Sequence, residues 1–166
     1  MKRISGDGMG GKGVIWIPQN GYENVCIFFH GLGDTALGWA VVMPSLTIEK
    51  TKFILPTATP LSVSLNNGLN MNAWSDIQGL DFTFDEDSVG FTRSSERANC
   101  VIQKEIDSGI ESNRIVIGGF GQGGGKLMKC DSILDLLRWR RNMNNIYIQR
   151  WHYTQLFDLH INSVVL

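Results

Sequence analysis

Three things are scarce or missing in this 166-residue chain: paired cysteines, long apolar runs and an excess of either charge. Cys26, Cys100 and Cys130 are the only cysteines, and none stands in C-x-x-C spacing. Neither a disulfide framework nor a zinc site is therefore indicated, and a reduced compartment is expected. The N-terminal Met1-Lys2-Arg3-Ile4-Ser5-Gly6-Asp7 lacks an apolar core of signal-peptide length, and no run reaches the roughly 18 apolar residues of a spanning helix. A cytoplasmic protein is the expectation. The net charge of −1 gives no electrostatic reason to expect nucleic acid as a partner. That balance is uneven, since residues 1–125 carry 9 Lys/Arg against 13 Asp/Glu and residues 126–166 carry 6 against 3. Internal repeats and low-complexity segments are absent.

What is present fits one domain with a real core, because a chain of this size buries roughly 70% of its unfolded surface. Val14-Ile15-Trp16-Ile17 is a β-branched and aromatic run stopped by Pro18 and the turn pair Asn20-Gly21. Val25-Cys26-Ile27-Phe28-Phe29 and Lys52-Phe53-Ile54-Leu55-Pro56 are nearly continuous in apolar residues, and Arg114-Ile115-Val116-Ile117 repeats the character. Continuous hydrophobicity predicts strands covered on both faces, as in a parallel sheet. Between them, residues 38–49 form a plausible helix interrupted by Pro44. Residues 94–109 form a stronger one, with Ser94 or Ser95 as cap, Ala98, Val101, Ile102 and Ile106 at helical spacing, and Gly109 closing the end. Strand and helix in alternation predict an α/β fold with a mostly parallel sheet.

Arg114-Ile115-Val116-Ile117-Gly118-Gly119-Phe120-Gly121-Gln122-Gly123-Gly124-Gly125 carries the most information. It reads as a strand entering the G-x-S-x-G turn of a serine hydrolase, where small flanking residues allow a sharp bend and the central Ser is exposed. Gly121 stands where that serine belongs, so the frame is kept and the nucleophile is not. The same residues satisfy G-x-G-x-x-G, but a dinucleotide site opens the first strand-helix unit of its domain, whereas at least three strand candidates precede this one. The Walker pattern fails because position 120 is Phe and Leu127 follows Lys126.

Four blocks together resemble the acyl-protein thioesterase and carboxylesterase (lysophospholipase-like) family of α/β-hydrolases: Phe28-Phe29-His30-Gly31-Leu32-Gly33-Asp34-Thr35 with Gly38-Trp39-Ala40; Ile54-Leu55-Pro56-Thr57-Ala58-Thr59-Pro60; Met71-Asn72-Ala73-Trp74-Ser75-Asp76-Ile77; and Gly118-Gly119-Phe120-Gly121-Gln122-Gly123-Gly124. The resemblance implies hydrolysis of fatty acyl thioesters or esters, with acylated proteins or lysolipids as substrates, no cofactor and no metal. It also implies that the backbone N–H groups of Leu32 and Gln122 form the oxyanion hole around position 121, and that Trp74 flanks the substrate groove. Ser75 stands where the family usually has Phe.

Other residues have plainer readings. His30, at a strand end, reads as structural, holding the oxyanion loop by hydrogen bonds. Cys26 and Cys100 are expected in the core and inert. The acidic Asp81-Phe82-Thr83-Phe84-Asp85-Glu86-Asp87 lacks the glycine and spacing of a calcium loop and reads as solvated surface. After Gly125 the texture changes. Residues 131–141 suggest a short basic amphipathic helix able to make peripheral membrane contact at most. Asp131, Asp135, Asp158, His152 and His160 stand outside any family context, so no general base or orienting acid is assigned. The expected organisation is a hydrolase part over residues 1–125, incomplete after the nucleophile turn, and a divergent tail over residues 126–166. With its nucleophile lost the chain is expected to be catalytically inactive, at most an acyl- or partner-binding pseudoenzyme.

Overall fold

A computed structural model of the chain describes residues 1–46, 48–79, 86–125 and 148–150, the last three as backbone. Strands β1 (Lys2–Ser5), β2 (Gly13–Ile17) and β3 (Asn24–Phe29) come first, followed by the short helix α1 (Ala36–Ala40) and β4 (Thr51–Pro56). Next come a small hairpin of β5 (Pro60–Val63) and β6 (Leu69–Asn72), the long helix α2 (Ser88–Asp107), β7 (Ile115–Gly119), α3 (Gln122–Gly125) and β8 (Ile148–Arg150). The main sheet has the order β1-β2-β4-β3-β7-β8. β4, β3, β7 and β8 are parallel to one another, whereas β2 pairs antiparallel with both β1 and β4. β1 and the β5–β6 hairpin carry little apolar periodicity, which is why hydrophobic pattern alone does not find them.

The apolar runs lie where parallel strands must. β4 is buried at all six positions, and Ile27, Phe29, Phe53, Ile54 and Leu55 are among the most enclosed side chains. One face of the sheet packs Ile15, Val25, Ile27, Phe29 and Ile54 against Ala98, Val101 and Ile102 of α2. The other packs Val14, Phe53 and Leu55 against Ala36, Ala40 and Met43. Each large apolar side chain so buried contributes about 1.5–3 kcal/mol relative to exposure.

Several boundaries differ from the sequence reading. α2 starts at Ser88 and is capped by Asp87, whose carboxylate accepts the Gly90 N–H at 2.9 Å; Ser94 and Ser95 are buried inside it. An aspartate cap outcompetes the later serines because its side chain also accepts the Asp76 N–H at 2.8 Å, tying the helix start to the preceding loop. Gly109 (φ +99°) follows the C-terminus as expected. The helix expected over residues 38–49 is α1 plus a separate 3-10 turn, Met43–Leu46, because Pro44 cannot donate into a continuing helix. Cys100 is exposed, correcting its expected place in the core: Ala98, Val101 and Ile102 take the buried stripe of α2, and position 100 faces outward. β7 has a parallel neighbour in β8, paired from Ile117↔Ile148 to Gly119↔Arg150, so three residues of the tail join the sheet. Val116 of β7 is 40% exposed.

Two ion pairs fix the elements that carry the site. Lys52 Nζ lies 2.7 and 2.9 Å from the Glu105 carboxylate, holding α2 over β4. Arg97 donates to Asp7 Oδ2 from Nη2 (2.6 Å) and Nε (3.0 Å) and to the Thr57 carbonyl (2.8 Å), linking α2 to two loops. Burial alone would raise the Asp7 carboxyl, but Arg97 and the N–H groups of Met9 and Gly11 hold it below the ordinary carboxylate range. Among the described residues no helix is long and apolar enough to cross a membrane.

Candidate active site

β3 and β7 are adjacent, parallel and in register at Phe29↔Gly119, so the loops they feed emerge side by side. The Phe120 N–H donates to the Phe29 carbonyl at 2.9 Å, and the chain then bends through Gly121 into α3. Gly121 has φ +53°, in the left-handed region that favours glycine. Its neighbours are constrained by contact. A Cβ on Gly119 would lie 2.6 Å from the Gly123 carbonyl carbon, and one on Gly123 would lie 2.4 Å from the Phe29 oxygen. Both contacts are with backbone, so neither position admits a side chain. Among the described residues a Cβ on Gly121 would meet only Gly31 Cα at 3.8 Å, which is ordinary contact. The bend thus has two positions closed to side chains and a central one that is open, the form of a nucleophile elbow.

The loop over residues 30–34 is built against this elbow. His30 is buried, and its Nε2 accepts the Ala58 N–H at 2.9 Å. Since an amide N–H only donates, Nε2 carries the lone pair and Nδ1 the proton, donated to the Gly31 carbonyl at 2.7 Å. Burial pushes the imidazole below its ordinary value, against the opposing pull of that carbonyl and of Asp34. His30 is a neutral structural bridge, as its position at a strand end suggests. The Trp74 indole N–H donates to the His30 carbonyl at 2.8 Å, Gly33 N–H to the Asn72 carbonyl at 2.8 Å, and the Asn72 amide to the Asp34 carbonyl at 3.0 Å. The Asp34 carboxylate accepts from Thr35 N–H (2.7 Å) and the Trp39 indole (2.9 Å). Leu32, half-buried inside this braced loop, makes no hydrogen bond among the described residues.

Gln122 opens α3, where a backbone N–H has no preceding turn to accept it. Its side chain accepts the Trp74 N–H at 2.9 Å and donates to the Ser75 carbonyl at 2.7 Å, clamping residues 74–75 against the elbow. Ser94 on α2 donates its hydroxyl to the Trp74 carbonyl on the other side. The sequence gives no signal for this double clamp, because nothing in the spacing shows that residues 74 and 122 meet.

A strand, a bend closed to side chains at its two flanking glycines and an adjacent braced loop have counterparts among known proteins. The phospholipase/carboxylesterase family model matches residues 11–135. The chain belongs to that family. It is 38% identical over 134 residues to acyl-protein thioesterase 1 of Cryptococcus neoformans, covering 78% of this chain and 54% of that one. It is 44% identical over 107 residues to acyl-protein thioesterase 1 of Neurospora crassa, covering 59% and 44%. The crystal structure of Zea mays acyl-protein thioesterase 2 superposes with a TM-score of 0.64 at 26% identity, covering 71% of this chain and 49% of that one. The chain thus spans about half the length of the relatives it matches.

In this α/β-hydrolase the expected site residues divide. Gly31 and Gly121, the residues before Leu32 and Gln122, face each other, a Cβ on Gly121 lying 3.8 Å from Gly31 Cα. Trp74 is 2% exposed and packs edge-on to Phe29 at 5.2 Å. It borders a small recess with Thr59, Ala73, Arg93, Ser94 and Arg97, and acts in this structure as a strut beneath the loop. Ser75, in place of the family's usual Phe, is buried beside Gln122. The Cys26 thiol is pushed up to about 12 by burial, in keeping with an inert core residue. Cys130, the basic segment at 131–141, and Asp131, Asp135, Asp158, His152 and His160 lie outside the described residues, as does most of the acidic stretch. Asp87, at its end, is the α2 cap.

Proposed function

We propose that residues 119–123 and 30–34 form the acyl-carbonyl site of an acyl-protein thioesterase or carboxylesterase, receiving fatty acyl thioesters of protein cysteines or acyl esters of lysolipids in the cytoplasm. The substrate carbonyl oxygen points between the N–H groups of Leu32 and Gln122, and its carbon faces position 121. Trp74 supports the groove from below. Chemistry of this kind runs through a side-chain nucleophile and backbone donors and requires no cofactor. The observation that carries the reading is the elbow itself: φ +53° and open space at Gly121 between two glycines that backbone contact closes to any side chain.

Gly121 favours a second reading of this particular chain. Hydrolysis by such a site needs an oxygen to add to the carbonyl carbon, a base to take its proton and return it to the leaving thiol or alcohol, and a donor pair for the oxyanion. Glycine supplies no oxygen. The chain as sequenced then holds acyl carbonyls without cleaving them. Turnover of palmitoyl thioester and short-chain nitrophenyl ester, measured together with labelling by a fluorophosphonate probe, separates the two. We expect no labelled serine and no turnover above buffer, alongside saturable binding of a non-cleavable acyl thioether. Turnover within tenfold of an intact relative would reject the non-hydrolysing reading, and absence of acyl binding would reject the site.

A further inference from the structure

The two arginines in the middle of α2 share a recess but not a partner. Arg93 and Arg97 stand one helical turn apart and line a space of about 70 Å³ with Thr59, Ala73, Trp74 and Ser94. None of residues 30–34 or 119–123 lines it. Arg97 is held in place by two hydrogen bonds to Asp7 (2.6 and 3.0 Å) and one each to the carbonyls of Thr57 (2.8 Å) and Lys12 (3.1 Å). A guanidinium has five N–H groups, so one remains on Nη1, while Asp7 balances the charge. Arg93 is exposed and makes no hydrogen bond or ion pair among the described residues, and the Thr59 hydroxyl is likewise without a partner there. Glu96, three positions beyond Arg93, lines the outer groove of α2 and not this recess.

Neither arginine can accept a hydrogen bond, and like charges one turn apart on a helix repel each other. An anion with several acceptor oxygens satisfies the donors and relieves the repulsion together. One enclosed water needs roughly 10–15 Å³ of cavity, so the recess has room for a group of about five heavy atoms, the size of a phosphate and much less than an acyl chain. We propose that this recess binds a phosphate group, held by the Arg93 guanidinium, the remaining Nη1–H of Arg97 and the Thr59 hydroxyl. Three donors on three side chains suit the outer oxygens of a tetrahedral phosphate, whereas a carboxylate is matched by the paired edge of a single guanidinium. The four bonds of Arg97 fix its plane beforehand, so the cost of ordering falls on Arg93 and Thr59 alone. A free phosphate ion and the phosphate of a small monoester present the same oxygens to these donors.

The test titrates the full chain with inorganic phosphate by calorimetry at pH 7.5 and constant ionic strength, with glycerol phosphate and acetate in parallel. The expected result is one saturable phosphate per chain, weakened about tenfold or more in Arg93→Gln and less in Arg93→Lys, which keeps the charge and loses the fork. Because Arg93 is exposed, both variants leave the packed stripe of α2 as it is. Both outcomes of the glycerol phosphate arm support the site: binding as tight as that of inorganic phosphate assigns it to a monoester, and weaker binding assigns it to the free ion. No saturable phosphate binding, an affinity that Arg93→Gln leaves unchanged, or acetate bound as tightly as phosphate overturns the proposal.

Discussion

At the scale of single residues the site is a set of contacts with little slack. Gly123→Ala forces a methyl against the Phe29 and His30 carbonyls at 2.4 and 2.5 Å, and neither belongs to a movable side chain. Overpacking of that kind costs on the order of 3 kcal/mol, whereas Gly121→Ala meets only the left-handed backbone penalty of about 1–2 kcal/mol. Urea unfolding of the two variants is expected to separate them by at least about 1 kcal/mol, in that order; equal losses would mean that the bend is not built as described. His30 gives a pH signature. Its folded pKa lies below the ordinary value of about 6.5, so the unfolded chain binds the proton more readily. Stability is therefore full above about pH 6.5 and declines as pH falls below it, ahead of the loss tied to Asp7, which begins only as carboxylates titrate near pH 4. The urea midpoint should drop between pH 7.5 and 5.5, and His30→Gln, which cannot titrate, should flatten that drop. A midpoint as pH-dependent in the variant as in the native chain would contradict the buried neutral assignment.

At the scale of elements, two loops owe their positions to α2. Asp87 caps the helix and at the same time fixes Asp76, while Asp76 accepts from the Ser64 N–H and hydroxyl at 2.7 and 2.6 Å. Asp87→Ala should destabilise the fold by about 1–2 kcal/mol, as for other lost caps, and should speed amide exchange at Asp76 as well as at Gly90. Faster exchange at Gly90 alone would show that the cap and the loop are independent. The start of α2 illustrates what sequence can and cannot give. The apolar stripe of Ala98, Val101 and Ile102 is visible as periodicity, but the polar first turns are not, so the helix reads six residues short. Cys100 fails for a related reason: a small apolar residue beside a buried stripe has no mark of its own facing. β3, β4 and β7 are legible because burial on both faces demands unbroken apolar runs, and β1, exposed along its whole length, has no such demand.

At the scale of the whole molecule, the fold places two parallel strand ends side by side so that a braced loop and a glycine bend converge. The glycine pattern announces the bend, since only a backbone that passes within contact distance of itself needs glycine at 119 and 123 together. The clamp of Gln122 on Trp74 and Ser75 is silent in the sequence, because it depends on a loop 48 positions away. The central claim is that this convergence aims an acyl carbonyl at position 121, and the molecule carries its own comparator in the exposed thiol of Cys100. A Gly121→Cys variant is exposed to octanoyl nitrophenyl ester, and acylation is mapped by peptide mass at each cysteine over time. Oxyanion donors are worth on the order of 10²-fold in such a step, so the thiol introduced at 121 is expected to be acylated about 100-fold faster than Cys100. Acylation at 121 no faster than at Cys100 would contradict the account.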